Sequence, residues 1–246
     1  MIAVLAAESL GKSYGHTQVL KAASFRTYAG RITALMGRNG SGKSTMLDLS
    51  AGWRPPDFGA VHFAGQVWER PRTHEMAELG LFYLPQQVPL SSSFRVQVFL
   101  DALARRYGDR ELEHAIEVMR LGDLLHQHPP TLSGGEKARV GMAMAMIRMP
   151  VCLLADEPFA GVAPLDQELV ANALRELADR GVAVTVTGHD VPVLFHAADE
   201  VVWVVAGTTR HMGSPAEAAQ DHDFRRGYLG PGGWSRQAPG DSKEGT

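Results

Sequence analysis

The chain has 246 residues, 45% of them hydrophobic and 21% charged, with 24 basic against 27 acidic side chains and a net charge of −3. That balance belongs to a globular protein with a real core and excludes low-complexity disorder over most of the length. It also excludes the basic stripe of a phosphate-backbone binder, so no nucleic-acid partner is expected. The one cysteine, Cys152, cannot close an intrachain disulfide and lies in an apolar run, so it is expected to be a buried thiol.

The opening MIAVLAAESL meets Glu8 before an apolar signal core can form, and it lacks a basic start. No stretch approaches the ~18 apolar residues of a membrane span. The best candidate, 142–155, is cut by Arg148 and Pro150. The chain is therefore expected to be soluble and cytoplasmic, with no direct membrane insertion.

Strands are expected at 2–7, 18–26 and 31–36, punctuated by Gly15 and Gly30. A helix follows at 43–51 and stops at Gly52. The next stretch reads as a loop over 53–56, a hairpin of 61–63 and 66–68 around Gly65, and a short strand at 81–84 ending at Pro85. The period becomes helical from 94 to 125, and a further helix starts after Gly135 and runs to about Arg148. The apolar run 151–155 fits a strand buried on both faces. An amphipathic helix at 164–180 and a second buried strand at 182–187 complete a β–α–β pattern. Strands at 201–205 and 208–212 and a short helix near 216–220 close the ordered part. One α/β domain over 1–229 is expected, with a helical subdomain at about 88–150. Residues 230–246 are rich in Gly, Pro and Ser and are expected to form a flexible tail.

The segment Gly37-Arg38-Asn39-Gly40-Ser41-Gly42-Lys43-Ser44-Thr45 fits G-x-x-x-x-G-K-[S/T] between a strand and a helix, the context this phosphate-binding pattern requires. Glycines let backbone N–H groups wrap a triphosphate such as ATP, and the helix N-terminus adds favourable dipole charge. Lys43 is expected on the β- and γ-phosphates and the Ser44 hydroxyl on Mg²⁺.

The strand at 151–155 ends in Asp156 and Glu157, carboxylates that make sense where a metal or a water awaits them. Asp156 is expected to hold Mg²⁺ through its water shell, and Glu157 to act as general base on an attacking water. His189 follows the next buried strand, at the carboxyl edge where a parallel sheet binds ligands, and can touch a γ-phosphate. His189 or Asp190 simply starting a helix is the plainer alternative.

Leu132-Ser133-Gly134-Gly135-Glu136 opens the helix after the insert. Alone it is a common turn. In order with the phosphate loop and the acidic strand, it makes the chain resemble the ATP-binding cassette ATPases, the motor subunits of ABC transporters, over about residues 4–230. The resemblance implies a P-loop NTPase fold with a mainly parallel central sheet, an N-terminal antiparallel β subdomain and a helical insert carrying the signature. It implies ATP hydrolysis coupled to transport of an unidentified substrate. It also implies Tyr14 stacking on adenine, unless it is an ordinary strand tyrosine. Gln86, preferred over the adjacent Gln87, resembles the glutamine that senses Mg²⁺ and couples to the membrane partner.

In the family, two subunits enclose two ATPs, so Ser133, Gly134 and Gly135 are expected to bind the nucleotide of a second copy. Partners implied are transmembrane permease subunits and a second ATP-binding subunit, a homodimer or a heterodimer. The chain would then lie on the inner face of the cell membrane through its permease. Ala163 departs from the pattern, which has aspartate there. The segments 159–164 and 225–230 resemble the lipopolysaccharide-export and branched-chain amino-acid import branches.

The alternative function is a soluble cassette ATPase of DNA repair or chromosome maintenance. The short insert, the near absence of cysteine and the negative charge argue against it. His126 and His128 lie two apart, off any shared helix face, and are expected to be solvated. Met142, Met144, Met146 and Met149 are expected to fill core. Gly52, Pro56, Gly59 and Gly65 are expected to form turns.

Overall fold

The computed structural model describes residues 2–230, so the expected tail lies, from residue 231 on, outside the described residues. The alternating and continuous apolar runs become ten strands. These are β1 (Ala3–Tyr14), β2 (Thr17–Tyr28), β3 (Ile32–Met36), β4 (Phe58–Phe63), β5 (Gln66–Trp68), β6 (Leu81–Leu84), β7 (Cys152–Ala155), β8 (Ala183–Gly188), β9 (Glu200–Val205) and β10 (Thr208–Gly213). They form one sheet in the order β5-β4-β1-β2-β10-β9-β3-β8-β7-β6. Strands β9, β3, β8, β7 and β6 run parallel, and β1, β2, β4 and β5 pair antiparallel. The expected fold class holds, with the two parts continuous through a parallel bridge of β10 to β2.

Period two on the central strands explains the layering. Ile32, Ala34 and Met36 of β3 and Leu153 and Ala155 of β7 face a core shared with the helices on one side. That side carries α3 (Val96–Tyr107), α4 (Leu112–Val118), α5 (Gly134–Arg148), α6 (Pro164–Asp179) and α7 (Val191–Ala197), after α1 (Lys43–Ser50) and α2 (Thr73–Glu78) in chain order. Leu35, Cys152 and Leu154 face the other way, onto α1 and the antiparallel strands. Cys152 is buried as expected, and desolvation pushes its thiol pKa well up. Met142 and Met146 fill core, and Met144 and Met149 pack against it. A buried hydroxyl pair, Thr27 Oγ1 and Thr185 Oγ1 at 2.5 Å, links the antiparallel part to the parallel part.

Several boundaries differ from expectation for physical reasons. Strand β1 continues past Glu8 to Tyr14 because it pairs on both edges and absorbs the polar step as a bulge, with Ser9 at φ 51°. The helical text 94–125 breaks at Gly108, and the insert packs as α3, α4 and α5. The short helix expected near 216–220 is α8 (Pro215–Gln220), while helix α2 and the helical segment 222–229 were not expected. Gly59 lies inside β4 rather than in a turn.

Gly59 adopts φ +91°, and a Cβ there would stand 2.5 Å from the Ser9 carbonyl oxygen and 2.6 Å from that of Glu8. Gly59→Ala combines a left-handed backbone with a clash against rigid backbone. It is expected to cost about 2–3 kcal/mol, lowering the melting temperature by about 5–10 °C in calorimetry. An unchanged melting temperature would refute this account of the β1–β4 contact.

Candidate nucleotide site

Strand β3 delivers Gly37 to the edge of the parallel sheet, and the chain turns through 38–42 into α1. Ser41 N–H donates to Arg38 O at 3.1 Å, and Gly42 caps the helix at φ +105°. Glycine is required at that cap, because a Cβ would lie 2.5 Å from Leu20 Cδ2 as well as in a left-handed conformation. No side chain caps α1 and no acid occupies its first turn. The amide dipoles there remain open to an anion.

Lys43 is buried, with Nζ donating to Gly37 O at 2.8 Å and Arg38 O at 3.3 Å. Burial lowers its pKa, and the carboxylates of Glu157 and Asp156 oppose the shift. An ammonium held by carbonyls in a poorly hydrated loop favours an incoming anion, which would offset the cost of its burial.

At the tips of β7 and β8 the carboxylates separate. Asp156 Oδ1 accepts from the Ser44 hydroxyl at 3.1 Å and the Thr187 hydroxyl at 2.6 Å. Glu157 takes φ +47°, and its amide donates to Thr187 Oγ1 at 2.9 Å. That turn sends its side chain toward Gln86 Nε2 at 3.4 Å and His189 Nδ1 at 3.5 Å. Of the two adjacent glutamines, Gln86 is the one that meets Glu157. His189 is 57% exposed, so its ring is free to turn toward a ligand, and Asp190 caps α7 through the Val193 amide.

Asp156 is only 5% exposed and joins no ion pair among the described residues. A buried carboxylate beside a serine hydroxyl is the hard-oxygen donor set that suits Mg²⁺. Among the described residues no group of three His, Cys, Asp or Glu side chains could hold a softer metal. His128 Nδ1 instead meets Ser92 O at 3.1 Å.

Two expected parts make no hydrogen bond to this centre among the described residues. Tyr14 closes the β1–β2 hairpin, 39% exposed, with Lys12 Nζ at 5.9 Å and Arg54 Cζ at 5.6 Å from its ring centroid. Ser133 caps α5 in a reciprocal box, accepting from Glu136 N–H at 3.2 Å while its own N–H donates to Glu136 Oε2 at 2.7 Å. Among the described residues no hydrogen bond joins Ser133, Gly134 or Gly135 to residues 37–45. A cavity of about 600 Å³ runs from Gly134 and Lys137 past Gln86 and Val88 to Glu157. Ala163 starts α6 with no side-chain cap.

Sequence reasoning missed Thr187. Its hydroxyl is buried and joins both acids, and its signal was a polar residue ending a buried strand two positions before His189.

The family model described as ABC transporter matches residues 20–160. A lipopolysaccharide export system ATP-binding protein LptB of Acidithiobacillus ferridurans is 32% identical, covering 94% of this chain and 98% of the relative. The LptB of Escherichia coli K12 is also 32% identical, over 93% of this chain and 98% of its own length. A solved ATP-binding subunit of an ABC transporter superposes with TM-score 0.79 at 25% identity, covering 92% of this chain and 96% of that one. A dimeric cassette in a post-hydrolysis state, bound to ADP and Pi, superposes with TM-score 0.75 at 23% identity, over 85% of this chain and 98% of that one.

Thr187→Val keeps the shape of the side chain but leaves the buried Asp156 Oδ1 with the Ser44 hydroxyl alone and the Glu157 amide without its acceptor. It is expected to cost about 2–4 kcal/mol in urea unfolding, with Thr187→Ser recovering most of the loss. Equal stability of the Thr187→Val variant and the wild type would remove the hydroxyl from its linking role.

Proposed function

The chain belongs to the ABC transporter family and is its ATP-binding, ATP-hydrolysing subunit, and from that premise we propose how its residues divide the work. Residues Gly37, Arg38, Asn39, Gly40, Ser41, Gly42, Lys43, Ser44 and Thr45 hold the phosphates, with Lys43 as the counter-charge to the β- and γ-groups. Tyr14 stacks on adenine, with Arg54 moving off its ring. Ser44 and Asp156 hold Mg²⁺, with Gln86 at their edge. When bound, Mg²⁺ supplies positive charge that neutralises the phosphate oxygens.

The observation that carries the reading is the divergence of two adjacent carboxylates at one strand tip. Asp156 is buried against Ser44, while Glu157 faces Gln86 and His189. In the proposed step, water attacks the γ-phosphorus and Glu157 accepts the water's proton. The bond to the β–γ bridging oxygen breaks, giving ADP and inorganic phosphate. His189 donates to the γ-phosphate.

The position of the α5 start, on the cavity that reaches Gln86 and Glu157, supports a nucleotide site completed between two copies. Ser133, Gly134 and Gly135 carry the amide dipoles of a helix N-terminus, yet among the described residues they make no hydrogen bond to the phosphate loop of the same chain. The partner is a second ATP-binding subunit, as in the dimeric cassette. Among the described residues no helix is long and apolar enough to cross a membrane. Attachment to the inner face of the membrane is through separate permease subunits, as the LptB relatives' export system suggests. The DNA-repair alternative has no relative among those described.

Glu157→Gln keeps size and hydrogen bonding but removes the proton acceptor. Hydrolysis is expected to fall by roughly two to four orders of magnitude with ATP binding retained. With Mg²⁺-ATP this variant should elute as a dimer in size-exclusion chromatography, and adding Ser133→Arg should return it to monomer. Wild-type turnover by Glu157→Gln would remove Glu157 from the mechanism.

At the start of α3, Phe94 and Val98 are exposed at 51% and 46%. Such an apolar patch suits a short cytoplasmic helix of the permease. Phe94→Asp with Val98→Asp is expected to release the chain from permease-containing membranes in flotation. Unaltered flotation would place the docking surface elsewhere.

A further inference from the structure

The start of α5 lies directly on the start of α6. A Cβ on Gly135 would stand 3.0 Å from Asp166 Oδ2 and 3.6 Å from Val162 Cγ1, and one on Gly134 would stand 3.6 Å from the Gly161 carbonyl oxygen. The two glycines thus let the first turn of α5 rest on residues 161–166. Asp166 stands in the first turn of α6, where the helix dipole favours a carboxylate.

The same carboxylate is held a second time from α5. Arg139 lies four residues after Gly135, on one face of the helix with it. Its Nε meets Asp166 Oδ1 at 3.2 Å, and neither side chain has much exposed surface. Its Nη1 donates to the Met119 and Arg120 carbonyl oxygens, each at 3.0 Å, just past the end of α4. One guanidinium therefore fastens α5 to both neighbouring helices, a task that suits the planar fork of arginine and not the point charge of lysine.

The capping box of Ser133 and Glu136 holds the turn together from within. Arg139 and Asp166 fix that turn against the next helix. Between Glu157 and Asp166 the chain has no other charged side chain, Ala163 included, so Asp166 is the first charge after the proposed general base.

We infer that Arg139 and Asp166 are positioning residues for ATP hydrolysis, their ion pair holding Ser133, Gly134 and Gly135 where they meet the nucleotide of a second copy. The inference rests on the two-copy reading and deepens it. Among the described residues neither side chain bonds to residues 37–45, so the pair acts on the shared site and not on the chain's own phosphate loop.

A pair that serves stability alone behaves differently when both partners are removed together. Asp166→Ala, Arg139→Met and the double substitution are each placed in the Glu157→Gln protein. Asp166→Ala leaves a buried guanidinium without its carboxylate and should lower the melting temperature, and the double substitution should regain part of that loss. In size-exclusion chromatography, half-dimerisation should need about tenfold more Mg²⁺-ATP in all three variants, the worth of one charge-assisted hydrogen bond. Affinity for ADP in titration calorimetry should stay that of the Glu157→Gln parent, because residues 37–45 are untouched. Dimerisation that recovers together with the melting temperature in the double variant would reduce the pair to packing and overturn the inference. Unchanged dimerisation of the Asp166→Ala variant, or a parallel fall in ADP affinity, would overturn it too. A Glu157→Gln parent that stays monomeric would instead refute the two-copy reading itself, and the inference with it.

Discussion

One buried carboxylate organises the site. Asp156 sits at the tip of β7, almost out of solvent, with neither an arginine nor a lysine paired to it among the described residues. Burying an unpaired charge is costly unless it is hydrogen-bonded or neutralised by a cation. Here two hydroxyls answer it, Ser44 from the helix after β3 and Thr187 from the end of β8. That one oxygen therefore locks the phosphate-loop helix to the neighbouring strand tips, and Thr187 passes the constraint on to the Glu157 backbone. The left-handed turn at Glu157 is held by that tether, and it separates two adjacent acids into two environments.

The features legible in the sequence were local ones. The phosphate loop, the acidic strand end and the Ser-Gly-Gly helix start each carry their chemistry in consecutive residues, and the buried strands announce themselves as apolar runs. Thr187 was not legible, because its role arises from the register of β7 against β8, Ala155 opposite Val186, which no single segment states. Gly59 misled for a similar reason. Its place in the family's spacing after the phosphate-loop helix suggests a turn, but here it makes room for another strand's carbonyls.

Short elements escaped because their signals are weak. Helix α2 has six residues and no side-chain cap, and the π-helical turn at 225–229 obeys neither the period of a helix nor that of a strand. The anchoring of that turn depends on Phe195 and Trp203, distant in sequence.

The burial of Cys152 has a practical side. It is the chain's one cysteine, lies within the sheet with no exposed surface, and burial disfavours its reactive thiolate. The natural chain is accordingly a silent background for thiol labelling. Cysteines introduced on the surface, one near the start of α5 and one beside the phosphate loop, can carry fluorophores or spin labels without a cysteine-free variant having to be made first. Distance measurements between copies, or between the helical insert and the sheet, can then be made on otherwise unaltered protein.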